Sequence, residues 1–276
     1  MIDMHPALIV LLSVAGGLLL VGLVYLLILV RPRAKSPENA TLLCDYAHRG
    51  LHGGGIPENS LAAFGKACEA GYGIELDVQL SRDGVVMVFH DYTLSRMTGC
   101  EKKLRELDVA DLQALSLNGA AETIPTFAQV LALVDGRVPL LVELKGEDLN
   151  TALCEKVAAL LSDYKGAYCL ESFNPLLIGK MGKYLPGAYR GLLYTNVCRD
   201  KKKYTLLNLV ITAMLLNPVA KPHFIACNER DRGSLPVRLT TKLYSAPRFV
   251  WTVRTDEDYA LAHELGEYAI FEKITP

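Results

Sequence analysis

Residues 7–30 form one unbroken run without a charged side chain, and beyond residue 41 the pattern changes: short apolar bursts alternate with stretches whose apolar positions recur every three or four residues. At 1.5 Å per residue the first run spans roughly 36 Å, enough to cross a hydrocarbon core with some tilt. Arg31, Arg33 and Lys35 follow at once, broken by Pro32 and Pro37, and only Asp3 and His5 precede. A positive flank on the C-terminal side predicts an anchor with its N terminus outside and the remaining chain in the cytoplasm. A cleaved signal peptide requires a positive leading region and a shorter apolar stretch, and neither is present. Residues 31–41 read as a short, stiff, polar linker. The predicted parts are an anchor over 1–30, a linker over 31–41 and a globular domain over 42–276.

Within that domain the bursts predict strands over 42–48, 73–80, 140–145, 168–173, 189–194, 224–227, 249–253 and 268–271. Helical periods fall between them, over 60–70, 126–133, 150–164, 175–184, 205–216, 235–243 and 257–265. Asn59 or Ser60 can cap the first helix and Gly71 end it. Eight strands separated by helices predict a parallel α/β barrel of the TIM (β/α)8 type. One piece breaks the alternation. Asp83-Gly84 is a hairpin signal, so 85–89 reads as an extra strand, and 92–122 as an insertion with a short helix near 110–115. No residues follow the last strand to form an eighth outer helix. Apolar strand surface is then expected to need cover from the linker, from lipid or from a second subunit. The stretch 206–218 is apolar over a wide face but too short to span a bilayer. With Lys201, Lys202 and Lys203 before it, it is a candidate for contact with a membrane surface.

Composition narrows the partners. The net charge is −1, and with no basic stripe there is no electrostatic case for nucleic acid. Seven dispersed cysteines contain no CxxC pair. That spacing favours neither a zinc site nor a disulfide framework and suits a reducing compartment.

The candidate chemistry lies at strand ends. Residues two apart on a strand share a face, so Glu75 and Asp77 point one way, as do Glu143 and Lys145 on the next predicted stave. Crowded carboxylates without neutralisation would repel and raise a pKa. A divalent cation removes that penalty, and an all-oxygen donor set suits Mg²⁺ or Ca²⁺. His48 closes the first strand and His90 the extra one, and two histidines can accept and donate protons near neutrality. Arg49 offers a fork of donors to phosphate oxygens, and Lys145 adds charge beside the metal candidates. His52, in the glycine-rich loop 50–55, is the likeliest of the other histidines to join the site by position.

Together His48-Arg49-Gly50, Pro57-Glu58-Asn59-Ser60, Glu75-x-Asp77, Asp83-Gly84, His90-Asp91 and the run 139–145 resemble the glycerophosphodiester phosphodiesterase family. Ser172-Phe173-Asn174-Pro175 and Trp251-Thr252-Val253 are similar as well. The resemblance implies a TIM barrel and metal-dependent hydrolysis of glycerophosphodiesters to glycerol 3-phosphate and an alcohol. It implies His48 and His90 as the acid–base pair and Glu75, Asp77 and Glu143 as ligands of Mg²⁺ or Ca²⁺. Arg49 and Lys145 would hold the phosphate, and Phe173 and Trp251 would wall the glycerol. The last strand departs from the family pattern: Phe271-Glu272-Lys273 stands where a Thr-Asp or Thr-Asn step is usual. Two other functions are compatible with the same residues. One is a lysophospholipase D-type activity on lysolipids. The other is an inactive, membrane-tethered barrel used as a binding module, against which the presence of both histidines and all three acids argues.

Overall fold

A computed structural model of the chain describes residues 5–146 and 152–276. The first two residues of the predicted helix 150–164, and Asp3 in the N-terminal flank, lie outside them. Nine strands form one sheet: β1 Tyr46–Ala47, β2 Gly73–Leu80, β3 Val86–Val88, β4 Leu140–Leu144, β5 Tyr168–Ser172, β6 Tyr189–Tyr194, β7 Phe224–Asn228, β8 Arg248–Val253 and β9 Tyr268–Phe271. Eight of them run parallel and close on themselves, because β1 pairs with both β9 and β2. β3 hangs antiparallel on β2 outside the closed ring. The TIM-type barrel expected from the alternation is therefore the fold.

Helix boundaries follow local capping. Ser60 Oγ accepts from the Ala63 amide at the start of Leu61–Ala70, and Gly71 ends that helix at φ +78°, in the left-handed region that glycine enters without steric cost. Thr126 and Gln129 form a reciprocal capping box at the head of Phe127–Val134. The insertion is a folded unit of its own. Met97, Leu104, Leu107, Leu112 and Ile124 bury themselves against Met87 and Phe89 of the hairpin, and its helix is Val109–Gln113.

The barrel lumen is layered. Its N-terminal half is filled by apolar and aromatic side chains, with the rings of Tyr46 and Phe249 5.9 Å apart and those of Phe224 and Phe249 4.7 Å apart. Gly191 makes room for this layer, since a Cβ there would lie 2.0 Å from the Phe224 ring. Above it, Asp77 stands in register with Glu143, and Glu143 with Glu171. A belt of inward carboxylates thus crosses three neighbouring staves just below the C-terminal mouth.

Three expectations need correction. β1 covers only Tyr46–Ala47 rather than 42–48; Ala40–Leu42 is a 3-10 turn, and Leu42 plugs the lumen from below. The apolar stretch 205–216 is not one helix. Its helix is Leu206–Thr212, and a turn with Met214 at φ +52° leads from it to the next helix, Asn217–Ala220. The linker does not cover the outside of β9 and β1. The Arg33 amide donates to Pro222 at 2.8 Å, and Tyr189 Oη donates to the Lys35 carbonyl at 3.1 Å, so it crosses the N-terminal end of the barrel. The outer faces of β9 and β1 are covered from the neighbouring helices. Tyr72 meets the Phe271 ring edge-on at 5.0 Å, Tyr259 packs on its other side, and Asp45 clasps Tyr259, His263 and the Ala269 amide.

The apolar helix Pro6–Val24, with a π turn over Tyr25–Leu29, has no buried residue before Tyr25 and a mean hydropathy of 2.8 across its most apolar window. It is long and apolar enough to be a candidate membrane span.

Candidate active site

His48, Arg49, Glu75, His90, Glu143, Lys145, Phe173 and Trp251 line one cavity of about 200 Å³ at the C-terminal ends of the strands, and Asp77 lies buried beneath them. Eight of the nine side chains singled out in the sequence therefore face the same space, and the ninth forms part of its floor. The cleft beside it, about 560 Å³, runs from His90 and Tyr92 across Lys145 to Phe173 and Asn174.

The acidic floor is tight. Oxygens of Glu75, Asp77 and Glu143 all lie within 4.8 Å of one another. Burial, followed by Asp77 and Glu143, pushes the Glu75 carboxyl well above its ordinary range. Burial also pushes Glu143 up to about 7, with Lys145 opposing it. Burial raises Asp77 as well, but Lys145, His90 and Arg49 outweigh it and hold that carboxylate ionised. Lys145 Nζ stands 2.9 Å from both Asp77 Oδ1 and Glu143 Oε2. Lys145 and Arg49 bring positive charge to these carboxylates, yet Glu75 and Glu143 are still pushed toward protonation. Glu171 Oε2 is buried without a hydrogen-bond partner. A hard divalent cation fits this donor set: it adds the missing charge and uses only oxygen ligands.

Arg49 occupies the left-handed region at φ +59°. This turn aims its amide at Glu75 Oε2, 2.8 Å away, while its guanidinium reaches Glu58 at 2.8 Å and Asp77 at 3.6 Å. Arg49 and Lys145 thus both brace the acidic floor while bordering the cavity where an anion would sit.

Each histidine is backed by a carboxylate. His48 Nδ1 lies 2.8 Å from Glu272 Oε2, and His90 Nδ1 2.6 Å from Asp91 Oδ1. An ionised carboxylate only accepts, so Nδ1 carries the hydrogen in each ring and Nε2 is left for chemistry. Burial depresses both imidazole pKa values, against the pull of Glu272 on His48 and of Asp77 on His90. Asp91 is held in turn by Arg96, which also forks onto Glu58.

Several polar residues of the site carry no role there in the sequence reading, Glu272, Glu171, Asn59 and Glu58 among them. Glu272 was read as a departure from the family pattern, yet it orients His48, takes the Arg254 Nε at 2.6 Å and lies 3.8 Å from His52. Glu171 was passed over on a strand read for its apolar residues. Asn59 is not the cap, a place taken by Ser60; its Nδ2 donates to Asp77 Oδ2 at 2.8 Å. Glu58 joins Arg49 to Arg96. Phe173 lies edge-on to Trp251 at 5.6 Å, and the indole is fixed by a bond from Nε1 to the Ala226 carbonyl.

Comparison with known proteins agrees with this geometry. Residues 48–272 match the glycerophosphoryl diester phosphodiesterase family. The chain belongs to that family. Among its relatives, a glycerophosphodiester phosphodiesterase from Caldanaerobacter subterraneus subsp. tengcongensis is 35% identical over 159 residues, covering 54% of this chain and 65% of that protein. The lysophospholipase D GDPD1 of Rattus norvegicus is 33% identical over 132 residues, 43% of this chain and 41% of its own length. Matched segments therefore span less than two thirds of these relatives. Among solved structures, the Oleispira antarctica phosphodiesterase in complex with sn-glycerol-3-phosphate superposes with a TM-score of 0.67 at 22% identity, over 83% of this chain and 92% of that one. The Thermotoga maritima glycerophosphodiester phosphodiesterase gives 0.62 at 26% identity, over 83% and 94%. These family members share the barrel.

Proposed function

We propose that this family member is a divalent-cation-dependent phosphodiesterase that splits glycerophosphodiesters into glycerol 3-phosphate and an alcohol. The observation that carries the reading is the shared cavity: two carboxylate-backed histidines face a floor of crowded acids bordered by Arg49 and Lys145. Mg²⁺ or Ca²⁺ held by Glu75, Asp77 and Glu143 supplies Lewis-acid polarisation of the phosphoryl group.

His48 and His90 divide the proton transfers. The substrate's own glycerol 2-hydroxyl attacks phosphorus, which is fast because the nucleophile is intramolecular. One Nε2 takes the hydroxyl proton as the oxygen–phosphorus bond forms, and the other protonates the alcohol oxygen as its bond to phosphorus breaks. A water then opens the cyclic phosphate with the histidine roles exchanged, which yields glycerol 3-phosphate and returns both rings to their starting states. Glu272 and Asp91 steady each imidazolium as it forms. Arg49 and Lys145 offset the charge that grows on the phosphoryl oxygens, and Phe173 and Trp251 wall the glycerol.

The apolar N-terminal helix anchors the protein in the cell membrane as a single pass. Arg31, Arg33 and Lys35 at its C-terminal end place the barrel in the cytoplasm. A lysophospholipase D-type action on lysolipids is the second reading. It is favoured by the open cleft of about 560 Å³ that runs beside the cavity from Tyr92 to Phe173, and by the likeness to the rat protein. An assay over glycerophosphodiesters and lysophospholipids, with Mg²⁺, Ca²⁺ or EDTA, tests both. Glycerol 3-phosphate from glycerophosphocholine supports the first, and lysophosphatidate from lysophosphatidylcholine the second. Undiminished turnover in EDTA counts against the cation in either case.

A further inference from the structure

The path of residues 25–35 down the barrel wall fixes which end of the barrel meets the anchor. Tyr25 packs beside Tyr194, at the C-terminal end of β6. Val30 is fully buried in the cluster formed by the outward faces of β6 and β7, and its carbonyl takes the Asn217 Nδ2 hydrogen at 2.7 Å. Arg33 and Lys35 then bond to Pro222 and Tyr189, at the N-terminal ends of β7 and β6. The chain thus descends from the catalytic end to the opposite end, and helix Pro6–Val24 leaves from the catalytic end. Tyr244 Oη donates to the Leu26 carbonyl, and the Arg31 guanidinium sits 5.8 Å over the Tyr244 ring, so the junction is docked rather than swinging free.

Met214, Asn217 and Ala220 pack against this junction, and apolar side chains project from the segment just before them. Tyr204 is 77% exposed, Leu206 79% and Leu207 63%. The same segment begins with Lys201, Lys202 and Lys203, and its inner face supplies Val210 and Ile211, with Met214 after them, to a narrow apolar slot beside Phe173. Leucines and a tyrosine behind a lysine cluster match the interface of an anionic bilayer. Continuity with the membrane helix selects lipid over a protein partner.

We propose that the barrel rests on the bilayer with its catalytic mouth toward lipid. Residues 204–209 form a second membrane contact, and the substrate drawn from that surface is a monoacyl phosphodiester lipid. This rests on the anchor and phosphodiesterase readings above. The full chain is reconstituted in vesicles of brominated phosphatidylcholine with a minor share of phosphatidylserine. Leu207→Trp is compared with Leu18→Trp in the anchor, after subtraction of the parent's emission from Trp251. The expected result is a blue shift and roughly twofold quenching at both positions. Quenching at 18 alone overturns the second contact and spares the anchor; quenching at neither overturns both.

A Leu206→Glu/Leu207→Glu variant gives an independent readout that folding cannot imitate. Its kcat/KM for vesicle-borne lysophosphatidylcholine, divided by that for dissolved glycerophosphocholine, falls about tenfold. An unchanged ratio overturns the proposal. A parent protein inactive on both substrates fails the phosphodiesterase reading instead.

Discussion

The two halves of this barrel are built on different principles. From β1 to β5 the helices Leu61–Ala70 and Phe127–Val134 are regular and capped, and the strand ends carry an interlocked set of charges: Arg49, Glu58, Asp77, Glu143 and Lys145. From β6 to β8 the outer layer breaks into short helices and a π turn, and the buried N-terminal residue Val30 fills the space among them. In the first half these five groups are positioned by opposite charges, while Glu171 is buried without a hydrogen-bond partner. In the second, packing against the anchor takes the place of regular outer helices. The crowded acids therefore belong to one half and the packing against the anchor to the other, and Phe173 and Leu193 form the seam, since each borders both the catalytic cavity and the apolar slot.

Substitutions in the first half are expected to produce the largest effects. His48→Ala should lower kcat on glycerophosphocholine about 10²–10⁴-fold, the usual range for a general acid or base, while circular dichroism stays that of the parent. Asp77→Ala leaves Lys145 and Arg49 short of a buried partner and should cost about 3–5 kcal/mol in denaturant unfolding of the full chain in detergent. A loss well under that value would show that the charges rearrange and that the first half is less rigid than described.

Glu272→Gln is a finer probe. The Glu272 bond raises the His48 pKa against the burial that lowers it. Removing the negative charge should move the acid limb of the kcat/KM profile to lower pH and reduce its plateau about tenfold. The same residue has a stability signature. Burial works to raise its pKa, but the bonds from His48, His52 and Arg254 outweigh this and depress it far below 4.5. Its stabilising contribution is therefore present above the unfolded carboxylate value and lost as pH falls through the folded one. The parent should lose stability between about pH 5 and pH 2 more steeply than Glu272→Gln.

The smallest effect belongs to the second half. Asn217→Ala removes the bond to the Val30 carbonyl and should cost about 1 kcal/mol, seen as a small drop in Tm with kcat on a dissolved diester unchanged. A large fall in kcat would break the division between the halves.

What was legible in the sequence follows the same line. Glu75, Asp77, Glu143 and Lys145 could be placed because strand alternation fixes which residues share a face, and β2 and β4 pair in the expected neighbourhood. His48 and His90 ended segments whose strand character was plain. Glu272 escaped because its partner lies 224 positions earlier, and only closure of β9 against β1 brings them together. Closure itself was expected, so the residue after the last strand could have been set beside the residue after the first. Glu171 had a weaker signal, one acid in an otherwise apolar stretch two positions before Phe173. The turn at Met214 and the docking of residues 25–35 left no mark in hydrophobic periodicity, because both depend on shape complementarity between distant segments.

The claim on which the rest depends is that Glu75, Asp77 and Glu143 together hold a divalent cation. Calorimetric titration of Mg²⁺ or Ca²⁺ into the full-length protein, beside a Glu75→Ala/Glu143→Ala variant, tests it without reference to turnover. The account predicts binding at one site per chain that the double substitution abolishes. Equal binding by both proteins, or none by the parent, would contradict it.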